Sequence, residues 1–145
     1  MKTLLPLKIV HVDQLGYHIF VKAKVNGTIA NLLVDTGASK TVFDTNRIQK
    51  FAEKNSMLLN EHISTGLGTN SMQSHTIVLK KMQLGDLLLK NFEIFLLDLS
   101  HVNVTYEKLK YKPLDGVIGG DILMRYKAQI DYNLKSLKLR TTDFK

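Results

Sequence analysis

The pair Asn26-Gly27 sits between residues 20–25 and 28–34, two segments of strand-forming side chains. Asn-Gly tolerates positive φ at both turn positions, the geometry that joins two right-twisted strands without splaying them. This predicts a tight hairpin. Turn signals recur at short intervals through the rest of the chain, which points to a mainly β domain. The second arm ends in the continuous apolar run Leu32-Leu33-Val34, the pattern of a strand buried on both faces, and it delivers Asp35 directly out of the core.

After a tight Thr36-Gly37-Ala38-Ser39 turn the pattern changes to helical spacing, with Ile48, Phe51 and Ala52 on one face, Asp44 or Thr45 as the N-cap and Asn55 at the end. A further hairpin is expected over residues 61–84, with Thr65-Gly66-Leu67-Gly68-Thr69-Asn70 at or near its tip. Gly85-Asp86 turns the chain toward strands ending at 92–98. Residues 99–114, polar and carrying three lysines and Pro113, read as a loop or an edge strand. In Asp115-Gly116-Val117-Ile118-Gly119-Gly120-Asp121, Asp121 is placed to cap a short helix over 122–126, and residues 128–131 with 136–141 suggest a last hairpin. One faint echo is present: Leu33-Val34-Asp35-Thr36-Gly37 and Val117-Ile118-Gly119 are both apolar pairs running into a glycine-bearing turn.

A length of 145 residues predicts a single domain over 1–145, and 44% hydrophobic residues support a sizeable core. The absence of cysteine excludes disulfides, thiolate zinc sites and a cysteine nucleophile, and fits a reducing, cytoplasmic setting. No apolar run approaches the roughly 18 residues of a membrane-spanning helix. Pro6 and Lys8 interrupt the apolar start and no small-residue cleavage site follows, so residues 1–10 read as part of the mature domain. The formal charge is +7, but the basic residues are spread along the chain and several, such as Lys22 and Lys24, alternate with apolar ones like the watered face of a strand. Neither a nucleic-acid nor a membrane partner is therefore expected. His11, His18, His62, His75 and His101 lack zinc-site spacing, so no metal or organic cofactor is expected. Gly66-Leu67-Gly68 lacks the lysine and helix of a phosphate loop, and neither Ser39 nor Ser136 stands in a nucleophile elbow.

Asp35-Thr36-Gly37-Ala38-Ser39 behind an apolar strand, with Gly119 behind Val117-Ile118 further on, resembles the retropepsin-like aspartic proteases, and most of all their stand-alone bacterial members. The resemblance covers nearly the whole chain. It implies a closed six-stranded acid-protease barrel with two short helices and a flap hairpin. It further implies that Asp35 is the catalytic carboxylate, with Thr36 bracing a partner subunit and Gly37 letting the backbone approach that carboxylate. Ala38, Ser39, Val117, Ile118 and Gly119 would support the turn. Thr65, Gly66, Leu67 and Gly68 would form the flap over a bound peptide, with Leu67 and Met72 near substrate side chains.

The implied activity is that of an aspartic endopeptidase. Peptide hydrolysis without a metal or covalent nucleophile needs one group to take a proton from water and another to give one to the carbonyl. Two facing carboxylates that share one proton meet that need. The chain has one Asp-Thr-Gly, so the resemblance implies a homodimer with one Asp35 from each subunit. Ala38 stands where pepsin-like lobes often carry a hydroxyl that bonds the aspartate, so a less acidic pH optimum is expected. Two features depart from the retroviral pattern. Gly120-Asp121 replaces the arginine that follows the apolar-apolar-Gly, leaving Arg125 as a substitute or a solvated helix residue, and the longer carboxyl-terminal extension does not carry over the interleaved terminal sheet. The rival readings are a catalytically silent dimerisation or peptide-binding module, and a nucleic-acid binder using the basic surface.

Overall fold

The computed structural model describes residues 1–51, 59–64 and 72–141. Among the described residues there are eleven strands and two α-helices, in the order β1 (Lys2–Pro6), β2 (Lys8–His11), β3 (Tyr17–Val25), β4 (Thr28–Val34), β5 (Val42–Asp44), β6 (Leu59–Ser64), β7 (Met72–Leu84), β8 (Leu87–Leu97), α1 (Ser100–Lys108), β9 (Gly116–Ile118), α2 (Gly120–Arg125), β10 (Gln129–Asp131) and β11 (Ser136–Arg140). One sheet runs β2-β3-β4-β9-β5-β8-β7-β6, and a second pairing of β3 with β7 closes six of its strands into a barrel. A separate three-stranded sheet has the order β1-β11-β10. Among the described residues, no helix is long and apolar enough to cross a membrane.

The Asn26-Gly27 hairpin forms as its sequence dictates, with φ of 48° at Asn26 and 87° at Gly27. It also seals the barrel. Asn26 N donates to Lys81 O at 2.9 Å, its Oδ1 accepts from Lys81 N at 3.0 Å, and its Nδ2 donates to Phe51 O at 2.8 Å. The seam beside it is dry: Val25, Met82 and Leu84 are all fully buried.

Strand alternation divides the apolar residues into two cores. Leu32, Val34, Phe43, Leu79, Ile94, Ile118 and Ile122 belong to the main one, inside the barrel. On the outer side, Val10, Phe20, Leu99, Tyr106, Leu114 and Val117 form a second, with Leu33, Ala38, Val42, Val102 and Leu109 against it. Both faces of the Leu32-Leu33-Val34 run are thus covered, by different cores.

Three expectations are corrected. Residues 100–108, expected as loop or edge strand, are the helix α1. Its apolar residues Val102, Tyr106 and Leu109 follow helical spacing and pack into the second core, while β-branched and lysine neighbours disguise the period. The helix expected from Asp44 is preceded by the short strand β5 and reduced to a 3-10 turn over Ile48–Phe51, whose two ends are buried three residues apart. Ala52 and Asn55 lie outside the described residues. The helix expected at 122–126 starts at Gly120, so Asp121 lies in its first turn instead of capping it.

Candidate active site

Asp35 follows the last residue of β4. Val34 pairs in parallel with Ile118, and Asp35 N extends the ladder by donating to Ile118 O at 3.0 Å. The apolar run before Asp35 and the Val117-Ile118 pair before Gly119 are therefore neighbouring strands, and their faint sequence echo is a spatial one. Asp35, Thr36, Gly37 and Ser39 are exposed, and Ala38 is half-buried. Asp35 Oδ1 accepts from Gly37 N at 2.9 Å, and Ala38 N donates to Asp35 O at 3.2 Å, which closes the turn.

The turn is held from α2. Gly120 N donates to Ala38 O at 2.6 Å and Asp121 N to Ser39 O at 3.1 Å, so the first amides of the helix are satisfied by carbonyls of the Asp35 loop. The Asp121 carboxylate accepts Thr41 N at 3.0 Å and Thr41 Oγ1 at 2.7 Å, and Thr41 Oγ1 in turn accepts Gly119 N at 3.2 Å. Thr41 is fully buried. This bracket was not anticipated from the sequence. The available signal was the polar Thr41 heading the apolar Val42-Phe43 and an acid directly after two glycines.

Gly119 packs too closely for a side chain. A Cβ there would lie 2.6 Å from Lys40 O and 2.8 Å from Ala38 O, both backbone atoms with nowhere to retreat. Position 119 therefore has no room for an aspartate side chain.

Two buried acids below the turn were also missed. Asp115, 2% exposed, accepts Asn31 N at 2.8 Å, Arg47 Nε at 2.7 Å and Lys50 Nζ at 2.8 Å. Asp44, 1% exposed, accepts Leu99 N and Asn46 N, each at 3.1 Å, and Asn103 Nδ2 at 3.2 Å. These carboxylates fix the entry to β9 and tie β5 to α1, satisfying the charge that burial would otherwise penalise. Arg125 is exposed at the end of α2.

The expected flap residues Thr65, Gly66, Leu67 and Gly68 lie outside the described residues, as do Thr69 and Asn70. The arms that lead to them are described: β6 and β7 pair antiparallel, from Leu59↔Ile77 to Ser64↔Met72.

Comparison with known proteins agrees with this architecture. The Aspartyl protease family model matches residues 21–122, well over half of the chain. No curated protein sequence matches significantly. Among solved structures, the chain is similar to a retropepsin-like aspartic protease from Rickettsia conorii, at 20% identity over 96% of this chain and 88% of that one, with a TM-score of 0.55. It is also similar to the retroviral protease-like domain of Ddi1 from Leishmania major, at 15% identity, 86% and 89% coverage and a TM-score of 0.55. The EIAV protease complexed with the inhibitor HBY-793 follows at 18% identity, 77% and 90% coverage and a TM-score of 0.51. With its Asp-Thr-Gly turn carried on a closed six-stranded barrel, this chain belongs to the aspartyl protease family and has the retropepsin-like fold.

Proposed function

We propose that the protein is an aspartic endopeptidase whose catalytic dyad forms between two copies of the chain, one Asp35 from each. The observation that carries this reading is that the chain presents a single exposed Asp-Thr-Gly turn, with no room for a side chain at Gly119, where the chemistry needs two facing carboxylates. A twofold axis beside the exposed Asp35-Thr36-Gly37 turn supplies the second without any change in the chain.

In this mechanism one Asp35 is ionised and takes a proton from a water held between the two carboxylates. The oxygen of that water attacks the scissile carbonyl carbon, while the protonated Asp35 gives its proton to the carbonyl oxygen. The tetrahedral species then collapses, the C–N bond breaks and a proton passes to the leaving amine. Gly37 N donates to the carboxylate, Thr36 braces the partner's turn, and Ala38, Ser39, Val117, Ile118 and Gly119 hold the loop in place. The segment holding Thr65, Gly66, Leu67 and Gly68 closes over an extended peptide and excludes water. The absence of cysteine suits a reducing cytoplasmic setting.

The test is a dilution series in which solution mass and specific activity on unstructured protein substrates are read together. Activity should rise and fall with the dimer fraction, and Asp35→Asn should abolish turnover while leaving mass and circular dichroism unchanged. Undiminished cleavage by the Asp35→Asn protein would refute the assignment, and a confirmed dimer that cuts nothing from mildly acidic to neutral pH would leave a silent peptide-binding module.

A further inference from the structure

Four of the twenty basic residues that look dispersed along the sequence, Lys2, Lys127, Lys138 and Arg140, are brought together at the terminal sheet. In β1-β11-β10, Thr3, Leu5, Leu137 and Leu139 point into the protein and are buried. The other face therefore carries Lys2, Leu4, Lys138, Arg140 and Gln129. Lys2 lies directly opposite Arg140, and Lys138 stands between Leu4 on one side and Gln129 on the other. Lys127, just before β10, joins them around a groove of about 440 Å³ lined by Met1, Lys2, Lys127, Gln129, Lys138 and Arg140. Asp131, the acid on this face among the described residues, stands at its far end, where its carboxylate accepts Leu134 N at 2.9 Å.

Set among these cations are two apolar side chains that the fold leaves in water: Met1 is 95% exposed and Leu4 58%. A twofold contact of this face with itself would set lysine against lysine, which excludes a second copy as the occupant. The combination fits an anionic bilayer surface. Its headgroup phosphates take up the charge, while Met1 and Leu4 enter the acyl boundary and the lysine stems lie along it. A nucleic acid complements the charge but has no use for the exposed aliphatic pair.

We propose that the solvent face of the terminal sheet is a docking surface for anionic phospholipid membranes, holding the protein at the bilayer without spanning it. This surface lies on different strands from the Asp35 turn and does not depend on its chemistry.

The full-length protein should co-sediment with vesicles rich in phosphatidylglycerol at near-physiological salt and remain in solution with pure phosphatidylcholine vesicles. Cations near an anionic surface contribute individually, so Lys2→Glu/Lys138→Glu should weaken binding at least about tenfold. Lys24→Glu/Lys90→Glu, with the same charge change on strands outside this sheet, should bind like wild type. Leu4→Ser should weaken binding without altering its dependence on lipid charge. The proposal is overturned if the two double variants bind alike, if wild type ignores phosphatidylglycerol, or if a single-stranded oligonucleotide competes the protein off the vesicles.

Discussion

Asp121 holds Thr41 by both of its donors, the amide at 3.0 Å and the hydroxyl at 2.7 Å, although 80 residues separate them in the chain. Thr41 follows the Asp35 turn and Asp121 follows Gly119, so the loop that presents the carboxylate is tied at its far end to a side chain on α2. Asp121→Ala leaves the amide of fully buried Thr41 without its acceptor and should cost about 3 kcal/mol. Thr41→Val, which keeps the shape and loses the hydroxyl, should cost about 1–2 kcal/mol. Urea denaturation of both single variants and the double variant measures the coupling. Additive losses would mean that the two groups stabilise the fold separately.

Gly119 makes a second, sharper prediction. Because a Cβ there meets the Lys40 and Ala38 carbonyl oxygens, Gly119→Ala should destabilise by roughly 3 kcal/mol by forcing the Asp35 loop away from α2. Gly119→Asp should be worse, and it should fail to give a one-chain dyad despite adding the missing carboxylate. A folded, active monomer of Gly119→Asp would contradict the packing argument and the dimer reading together.

How far the chain could be read in advance follows the range of the interactions concerned. The Asn26-Gly27 hairpin and the Asp35 turn are set by neighbours in sequence, so their residues announce them. The Thr41–Asp121 bracket and the contacts of Asp115 with Asn31 and Arg47 depend on strands that meet only after the barrel closes. Nothing local to Asp115 distinguishes a buried acid from a turn residue. Helix α1 was hidden for a different reason. Its N-cap residue Leu99 offers no side-chain cap, the Asp98 carboxylate accepting Ser100 N instead at 3.0 Å, and its stability comes from laying Val102, Tyr106 and Leu109 on the second core, not from propensity. The dispersed lysines mislead in the same way, since β1 and β11 bring together the two ends of the chain.

Ala38 ties the expected pH behaviour to a single side chain. The hydrogen bond described on the Asp35 carboxylate comes from Gly37 N, and Ala38 has no hydroxyl to add another. Each donor to the ionised form lowers a carboxylate's pKa. Wild-type kcat/KM should therefore peak at a less acidic pH than is usual for pepsin-like enzymes. Ala38→Ser, which adds a hydroxyl donor beside the carboxylate, should move the activity profile toward more acidic pH. Steady-state profiles of the two proteins decide this, and superimposable acidic limbs would remove the hydroxyl from the explanation.

Asp115 offers a test of the support beneath the turn. It is buried and meets two cations, of which Arg47 and Lys50 are partly exposed. Removing the acid leaves Asn31 N without its side-chain acceptor and both cations without their partner. Asp115→Ala should thus cost about 3–5 kcal/mol, whereas Lys50→Ala, which frees only the more exposed arm, should cost under about 1 kcal/mol. Comparable losses from the two substitutions, measured by thermal or urea unfolding, would show that the pair is governed by surface electrostatics.

Tyr106 anchors α1 to the barrel. Its hydroxyl lies 2.6 Å from His18 Nδ1, and its ring meets Phe20 edge-on at 5.5 Å between centroids. Burial pushes its phenol up to about 12 from the ordinary 10. A phenol whose pKa is raised by folding stabilises the native state while the unfolded chain also keeps its proton, below pH 10. Above that pH the unfolded chain releases the proton and the folded one does not, so the contribution falls as pH rises from 10 toward 12. Tyr106→Phe removes both the hydroxyl and this titration. At neutral pH the variant should be less stable by about 1 kcal/mol for the lost hydrogen bond, and the gap should narrow as pH climbs past 10. Lysines titrate in the same range, so the informative quantity is the difference between wild type and variant under identical urea denaturation. A gap that stays constant from pH 8 to 11 would show that the phenol is as free to ionise in the fold as in the unfolded chain, and that its tie to His18 holds α1 without a desolvated hydroxyl.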